Sequence, residues 1–340
     1  MDMIQTILKQ LRAGMPLSSG DATAAFTDIL DGKTTAAQTG AFLMSLSQRG
    51  ETVDEIVAAA QILRARATVI ESPPDAVDCC GTGGDHSGSY NISTAVAFVV
   101  AACGVPVAKH GNRAASSQSG AADVLEALGL NLDLSPETCE AGLKQFGFCF
   151  LMAPKFHGSL KPLAALRKEL GFRTIFNLLG PLANPANTRS QLSGVFDTSW
   201  VRPMAEALKK LGTHSALVVH GADGMDEITL SGITYCAQLK DGQITEFTLS
   251  PDDFSLPPID PQDILGGDAA TNAAALQGLL EGQKSAYRNI VLANASATLV
   301  LSGKAADYRQ GVALAANAID TGAALKVLKD YISFSKETGK

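Results

Sequence analysis

Apolar positions near the start of the chain recur at the spacing of amphipathic helices, and Ile4, Ile7, Leu8 and Leu11 form the first such stripe. Further stripes predict helices over residues 19–30, 36–48 and 53–67. Prolines in the segment 71–74 end the helical pattern and mark a linker. We therefore predict a small all-helical N-terminal domain over residues 1–72.

The hydrophobic pattern changes at Val77, where short apolar strands begin to alternate with helices. Strands are predicted over residues 77–80, 105–108, 148–153, 192–196 and 215–220, then as short hairpins between 228 and 249 with turns at 231–232 and 241–242. Helices are predicted over residues 91–103, 119–128, 136–146, 159–170, 200–211, 268–280, 289–302 and 307–320, with a last one ending near 336. The predicted fold class is α/β, in which the helical domain joins a larger α/β domain with a mostly parallel central sheet flanked by helices.

The loop after the first strand reads GTGGD at residues 81–85 and leads into a helix that begins near Asn91. Glycine lets the backbone approach a ligand closely, and a helix start adds unpaired N–H donors, so the loop indicates a phosphate site. It is not a dinucleotide fingerprint, because His86 occupies the third glycine position, and it lacks the Gly-Lys-Ser/Thr of a P-loop. A glycine-rich turn without a ligand is the alternative.

A second polar cluster contains Lys109, His110, Asn112 and Arg113 and follows the next predicted strand. In a βαβ unit the two strands end at the same edge of the sheet, so this cluster is expected beside the glycine loop. Two cations, an imidazole and an amide in that position favour a ligand that carries several phosphates.

The adjacent carboxylates Asp226 and Glu227 follow a predicted strand end, where α/β sheets place their ligands. Carboxylate oxygens suit Mg²⁺, which prefers oxygen ligands and bridges phosphates. A solvated turn is the alternative for the pair alone, and the neighbouring phosphate loop favours the metal.

Composition narrows the class of partner and the location. The 340 residues carry a net charge of −7, which argues against broad binding to nucleic acid or to an anionic membrane. The six cysteines show neither C-x-x-C nor metal spacing, which fits a reducing compartment. The N-terminus lacks the pattern of a secretion signal and the most apolar run is too short to span a membrane, so the expected location is the cytoplasm.

Five motifs in order resemble the anthranilate phosphoribosyltransferase family of tryptophan biosynthesis over nearly the whole chain. They are GTGGD (81–85), NIST (91–94), KHGNRAAS (109–116), GPLANP (180–185) and GMDE (224–227). The resemblance implies transfer of the phosphoribosyl group of 5-phosphoribosyl 1-diphosphate to the amino group of anthranilate, with release of diphosphate. It also implies a homodimer, and a segment of about 159–188 that returns to the helical domain, leaving 75–158 and 189–340 as the donor-binding α/β domain.

The resemblance also implies the site residues. The donor is expected to contact Gly81, Thr82, Gly83, Gly84, Asp85, Ser89, Asn91, Ile92, Ser93, Thr94, Lys109, His110, Gly111, Asn112, Arg113, Ala114, Ala115, Ser116, Ser117 and Ala121. Anthranilate is expected to contact Gly81, His110, Asn112 and Arg167. Ser93, Asp226 and Glu227 are the expected ligands of Mg²⁺, at two ions per subunit with the donor bound. Ser89 and Ala121 stand where the family commonly has threonine and serine.

The resemblance places the anthranilate-contacting arginine at Arg167, just before KELG (168–171); a solvated arginine on the helix surface is the alternative, and Arg173 is a rival for the role. A guanidinium suits the role because it can donate two parallel hydrogen bonds to a carboxylate. His110 is interpreted as a pocket wall or hydrogen-bonding partner of anthranilate, with base catalysis as the alternative, and His157 is expected at the substrate entrance. No pattern of a covalent nucleophile is present in the sequence, and the proposed chemistry needs none.

Two other functions remain open on the sequence. A pyrimidine-nucleoside phosphorylase shares the architecture but carries a lysine-serine-glycine type of cluster where this chain has residues 109–113. A non-catalytic paralogue that binds nucleic acid would be expected to have a basic face and to lack the acidic pair or Arg167.

Overall fold

The computed structural model describes residues 3–114 and 118–338. Its N-terminal part is a bundle of four helices: α1 (Met3–Arg12), α2 (Ser19–Leu30), α3 (Ala36–Arg49) and α4 (Val53–Arg66). Ser18 caps α2, and Thr35 and Thr52 form capping boxes at the starts of α3 and α4. The four helices predicted from the apolar stripes are confirmed.

The larger part contains a sheet of seven strands. They are β1 (Val77–Gly81), β2 (Val107–Gly111), β3 (Phe148–Met152), β4 (Ser190–Gly194), β5 (Ser215–Gly221), β6 (Thr234–Lys240) and β7 (Gln243–Leu249). Their order is β3-β2-β1-β4-β5-β6-β7, with parallel pairing from β3 to β5 and antiparallel pairing from β5 to β7. The predicted mostly parallel sheet is confirmed.

The helices of this part lie between and after the strands. They are α5 (Ile92–Ala102), α6 (Ala121–Ala127), α7 (Pro136–Phe146), α8 (Ala153–Phe156), α9 (Leu163–Leu170), α10 (Val201–Lys210), α11 (Pro251–Phe254), α12 (Ala269–Leu280), α13 (Ala286–Leu301), α14 (Tyr308–Asp320) and α15 (Ala323–Thr338). Short 3₁₀ turns occur at Gly158–Leu160, Ile175–Asn177, Thr198–Trp200 and Pro261–Ile264.

The sheet separates two hydrophobic cores. Successive residues of β5 alternate between them, because side chains along a strand point to opposite faces. Leu217 and Val219 belong to the core that includes Phe98 of α5 and the C-terminal helices, whereas Ala216 and Val218 belong to the core shared with the N-terminal bundle. The N-terminal bundle and one face of the sheet therefore share a single apolar core.

The segment after β3 returns to the N-terminal bundle. Leu163, Ile175 and Phe176 are buried in the same core as the residues of α1–α4, and Ser47 of α3 donates to the carbonyl oxygen of Arg173 at 3.0 Å. This packing places the returning segment between the bundle and the edge of the sheet where the glycine loop lies.

Three local predictions differ from the structure. The turn at 231–232 does not join two strands, and the only hairpin turn between 228 and 249 is at Asp241-Gly242, where Asp241 and Gly242 both have positive φ. The predicted helix 159–170 is split, and α9 starts after Pro162, which lacks the N–H that a continuing helix needs. Ser285 caps α13, so this helix starts three residues earlier than residue 289.

Among the described residues no single helix has the length and apolar composition of a membrane span. Helices α14 and α15 reach both only when taken together, and they meet at an angle of 59°.

Candidate active site

Two adjoining pockets lie at the carboxyl ends of the parallel strands. The first, here called the loop pocket, has a volume of about 370 Å³ and is lined by Gly81, residues 83–94, residues 118–121, Asp226 and Glu227. The second, here called the interdomain pocket, has a volume of about 340 Å³ and lies between the glycine loop, residues 109–114 and the returning segment. They share Gly81, Gly83, Gly84, Ser93, Gly120 and Ala121.

Glycine is required where the loop passes over Asp226. A Cβ atom on Gly194 would lie 1.5 Å from the carbonyl oxygen of Asp226, and one on Gly81 would lie 2.2 Å from its Oδ2 atom. The N–H of Gly83 donates to that Oδ2 at 2.7 Å. The bare backbone of two strands therefore lets this carboxylate lie directly against the loop.

Three carboxylates gather beneath the loop. The N–H of Asp226 donates weakly to Oδ2 of Asp85 at 3.4 Å, and Oε1 of Glu227 accepts from the N–H of Ser93 at 3.1 Å. Burial and the nearby Asp85 raise the pKa of Asp226, and burial and the nearby Asp226 raise the pKa of Glu227. Like charges held together out of water are stabilised by a cation.

This donor set fits Mg²⁺ in its chemistry, since it offers only oxygen atoms from carboxylates and the hydroxyl of Ser93. Within residues 3–114 and 118–338, however, no three His, Cys, Asp or Glu side chains form a ready metal cluster. Mg²⁺ often takes only one or two carboxylates and completes its shell with water and substrate phosphate, so the residues present fit the ion.

Lys109 is almost fully buried, with 2% of its surface exposed. Its Nζ atom donates to the carbonyl oxygen of Cys79 at 2.7 Å and to Oγ of Ser93 at 3.1 Å. These bonds place the ammonium group beneath the point where the two pockets meet.

Asn112 and Arg113, which follow the same strand, are exposed. The guanidinium of Arg113 is bound by Glu126 at 2.7 and 2.9 Å and by Asp123 at 3.0 Å, both on α6. Asn112 accepts from the N–H of Arg113 at 2.8 Å. Both line the interdomain pocket, but in this structure Arg113 is directed to the acids of α6 and not to the glycine loop.

His110 lines the interdomain pocket, and its two ring nitrogens have different surroundings. Its Nδ1 atom lies 3.2 Å from the carbonyl oxygen of Gly180, so Nδ1 carries the proton and Nε2 keeps a lone pair. Nε2 is buried without a hydrogen-bond partner among the described protein atoms. Burial and the nearby His157, whose ring centroid is 5.1 Å away, lower the pKa of His110 to about 3, and the ring is therefore neutral.

The two rival arginines occupy different places. Arg167 lines the interdomain pocket, and its guanidinium lies 5.4 Å from the ring centroid of Phe176. Arg173 stacks 4.3 Å from the ring centroid of Phe196 and donates to the carbonyl oxygen of Gly84. Arg167 is thus placed to meet a ligand in the interdomain pocket, whereas Arg173 supports the glycine loop from outside.

Every described residue of the predicted site lines at least one pocket. The loop pocket has Gly81, Gly83, Gly84, Asp85, Ser89, Asn91, Ile92, Ser93, Thr94, Ala121, Asp226 and Glu227. The interdomain pocket has Gly81, Thr82, Gly83, Gly84, Ser93, Lys109, His110, Gly111, Asn112, Arg113, Ala114, Ala121, Arg167 and also His157. Ala115, Ser116 and Ser117 lie outside the described residues. The contacts of all these residues with substrate or metal stay predictions.

Sequence reasoning missed the residue that holds the acidic pair in place. Asn294 of α13 is fully buried, and its amide accepts from the N–H of Ile228 and donates to the carbonyl oxygen of Ile228, both at 2.9 Å. Ile228 directly follows Glu227, so this clamp fixes the backbone that carries the carboxylates. An asparagine within the apolar run 290–301 was the available signal.

The helical bundle and the α/β domain each match a model of one class of enzyme, the glycosyltransferases. Residues 5–67 match the model described as "Glycosyl transferase family, helical bundle domain", and residues 73–325 match "Glycosyl transferase family, a/b domain".

Relatives narrow the class further. The chain is 52% identical to the anthranilate phosphoribosyltransferase of Parvibaculum lavamentivorans, over 97% of this chain and 96% of the relative, and 50% identical to that of Rhodopseudomonas palustris, over 97% and 98%. The chain belongs to the anthranilate phosphoribosyltransferase family. The expected family and fold class are confirmed, and neither alternative function is favoured by these relatives.

Solved structures show the same fold. The enzyme of Thermus thermophilus superposes with a TM-score of 0.91 at 39% identity, covering 99% of this chain and 100% of that one. The enzyme of Saccharomyces cerevisiae, solved in complex with PRPP and Mg, superposes with a TM-score of 0.90 at 26% identity, covering 98% of both chains. The yeast enzyme has also been solved with 4-fluoroanthranilate, with a TM-score of 0.88 at 25% identity over 98% of both chains.

Proposed function

We propose that this chain transfers the phosphoribosyl group of 5-phosphoribosyl 1-diphosphate to the amino nitrogen of anthranilate and releases diphosphate, as a step of tryptophan biosynthesis. The observation that carries the proposal is the junction of the two pockets at Gly81, Gly83, Gly84 and Ser93. One pocket offers backbone N–H groups and carboxylates, and the other offers an arginine and a neutral imidazole. A donor in the first pocket would present its anomeric carbon to an acceptor in the second.

The donor would lie along the loop pocket. Glycine N–H groups and the start of α5 suit its phosphates, and the buried ammonium of Lys109 lies at the junction, where charge develops as the anomeric C–O bond breaks. Breaking this bond leaves positive charge on the sugar and negative charge on the diphosphate. The residues therefore act by electrostatic stabilisation and by exclusion of water, and no covalent intermediate is required.

We propose that Asp226, Glu227 and Ser93 hold Mg²⁺, with two ions per subunit when the donor is bound. The ion would neutralise phosphate charge on the donor. Asp226 and Glu227 are held below the loop by the N–H groups of Gly83 and Ser93, so their positions are set by the protein before any ligand enters.

The acceptor would lie in the interdomain pocket. Arg167 would bind the carboxylate of anthranilate through two parallel hydrogen bonds, supplemented by the amide of Asn112. Because His110 is neutral and its Nε2 atom has no partner among the described protein atoms, that nitrogen would accept a hydrogen bond from the aryl amine. This contact positions the nucleophile without requiring His110 to act as a base.

We further propose a cytoplasmic homodimer that binds small-molecule substrates and neither nucleic acid nor membrane. The net charge of −7 supports the last two points. Met3 of α1 and Met44 of α3 are 37% and 47% exposed, and exposed apolar side chains on the bundle support contact with a second copy. The helical domain would consist of residues 1–72 and 159–188, and the α/β domain of residues 75–158 and 189–340. Light scattering of the purified protein tests the proposed dimer.

Loss of anthranilate fluorescence tests the reaction. The signal should fall only when purified protein, donor and Mg²⁺ are all present, and omission of any one of them is the control. No loss of fluorescence with folded protein would refute the proposed function. Thymidine phosphorolysis in inorganic phosphate and a gel shift with DNA or RNA test the two alternatives, and both should be negative.

A further inference from the structure

Asn91 lies at the N-cap of helix α5, directly after the glycine loop, and its side chain does not cap the helix. An N-cap asparagine normally accepts a hydrogen bond from the first turn of its helix. Within the described residues, Asn91 makes no such side-chain bond to α5.

The amide of Asn91 is bound by other segments. Its Oδ1 atom accepts from Nδ2 of Asn272 at 2.9 Å, and its Nδ2 atom donates to the carbonyl oxygen of Ser119 at 3.3 Å. Its carbonyl oxygen accepts from the hydroxyl of Tyr287 at 3.1 Å. One residue thus connects the start of α5, the segment 118–121 and two C-terminal helices.

Asn272 sets the direction of these bonds. It is 3% exposed in α12, and its Oδ1 atom accepts from the N–H of Gly267 at 2.7 Å. A backbone N–H can only donate, so Oδ1 must face Gly267 and Nδ2 must face Asn91. The amide of Asn91 is then oriented in turn, with its oxygen toward Asn272 and its nitrogen toward Ser119.

The surrounding contacts leave little freedom to this arrangement. A Cβ atom on Gly266 would lie 2.8 Å from Oδ1 of Asn272, so the chain there is already in close contact with the amide. The N–H of Gly266 donates to the carbonyl oxygen of Gly88 at 2.8 Å, and the rings of Tyr90 and Tyr287 stack at 4.6 Å. Helix α13 and the segment before α12 therefore contact the glycine loop and the residues that follow it.

We propose that Asn272 and Tyr287 are positioning residues for the donor. By holding Asn91 they keep its side chain from capping the first turn of α5, and they align the segment 118–121 with the glycine loop. The inference rests on the proposed function, because it takes the ligand of the loop pocket to be 5-phosphoribosyl 1-diphosphate.

Asn272→Asp is the decisive variant. It keeps an acceptor for the N–H of Gly267 but replaces the donor to Asn91 with an oxygen, so the amide of Asn91 must turn and the bond to Ser119 is lost. The KM and the calorimetric Kd for the donor with Mg²⁺ should rise about tenfold, while the KM for anthranilate stays within about twofold. Tyr287→Phe removes only the hydroxyl and should raise the donor constants about threefold.

Ser335→Ala is the matched control for the loss of a buried hydrogen bond. Ser335 of α15 is fully buried, accepts from the N–H of Asn131 at 3.1 Å and lines neither pocket. The Ser335→Ala substitution should lower the Tm without changing the KM for the donor or the KM for anthranilate.

Each outcome decides the matter. Donor constants that stay at wild-type values in both variants, or equal increases for donor and anthranilate, would overturn the inference. If Asn272→Asp does not fold, Tyr287→Phe decides alone. If the wild type binds the donor but transfers no phosphoribosyl group, the proposed function fails and calorimetry still decides the inference; a wild type that does not bind the donor overturns both.

Discussion

The loop pocket and the interdomain pocket are built from the chain in different ways. The first is formed by three short segments, of which residues 83–94 form most of the wall, and its contacts are largely backbone N–H groups and carboxylates. The second combines Leu63 of α4, the strand ends at 80–84 and 109–114, and residues of the returning segment. A phosphate site can thus be formed by a glycine-rich loop and the helix that follows it in the sequence, whereas a site for an aromatic acceptor depends on how two domains pack together.

The largest expected effect concerns the carboxylates of the loop pocket. Asp226→Asn should lower kcat/KM at least about 100-fold, because the variant loses a charge that holds Mg²⁺ against the donor. The Tm should stay equal or rise, since burial and Asp85 already raise the pKa of this carboxyl and disfavour its charge. Steady-state kinetics and calorimetry check both.

Asp241→Asn in the exposed hairpin turn is the control for that variant, and its activity should equal that of the wild type. Activity of Asp226→Asn within about tenfold of the wild type would show that the carboxylates of the loop pocket do not hold the metal.

The second effect concerns the interdomain pocket alone. Arg167→Ala should raise the KM for anthranilate about 30-fold and leave the KM for the donor nearly unchanged, because a charge-assisted bidentate bond to the carboxylate is lost. Lys168→Ala, one residue further along α9 and exposed, should have no effect. Equal changes for both substrates would contradict a division of labour between the pockets.

A pH profile of stability tests the neutral state of His110. Its folded pKa of about 3 lies below the unfolded value of about 6.5, so below that value the unfolded chain binds the proton preferentially. The free energy of unfolding should therefore decrease as the pH is lowered, and this residue should contribute about 1 kcal/mol of the decrease between pH 7 and 5.5. His110→Gln should reduce that loss in urea titrations, and an unchanged loss would mean that His110 binds its proton equally well in the folded and the unfolded chain.

The smallest effect is expected where the two pockets share a wall. Arg173→Ala removes the hydrogen bond to the carbonyl oxygen of Gly84 and the stacking on Phe196, so the glycine loop loses one support and the KM for the donor should rise about threefold. Arg189→Ala, which replaces another exposed arginine, is the comparison. A larger increase in the KM for anthranilate than in the KM for the donor would indicate that Arg173, and not Arg167, binds the anthranilate carboxylate.

Much of the fold could be predicted from the sequence, because amphipathic stripes and short apolar strands report their own local structure. The errors came where a non-local or steric factor decided. Pro162 divided a segment that reads as one helix, and the pattern around residues 231–232 suggested a hairpin that the register of β5 against β6 does not contain. Sequence also did not choose between Arg167 and Arg173, because Arg167 lies on the predicted helix 159–170 and Arg173 follows it closely.

By itself, the sequence determined the chemistry that is available: a glycine-rich loop that leads into a helix, a lysine at the next strand end and an adjacent pair of carboxylates. Only the tertiary structure decided which groups meet. It placed Asp226 against two glycines far away in the chain, divided the arginines between pocket and loop, and brought Asn272 and Asn294 behind the site. The physical reason is that backbone preference acts over a few residues, whereas burial, hydrogen-bond direction and close contact depend on segments that only folding brings together.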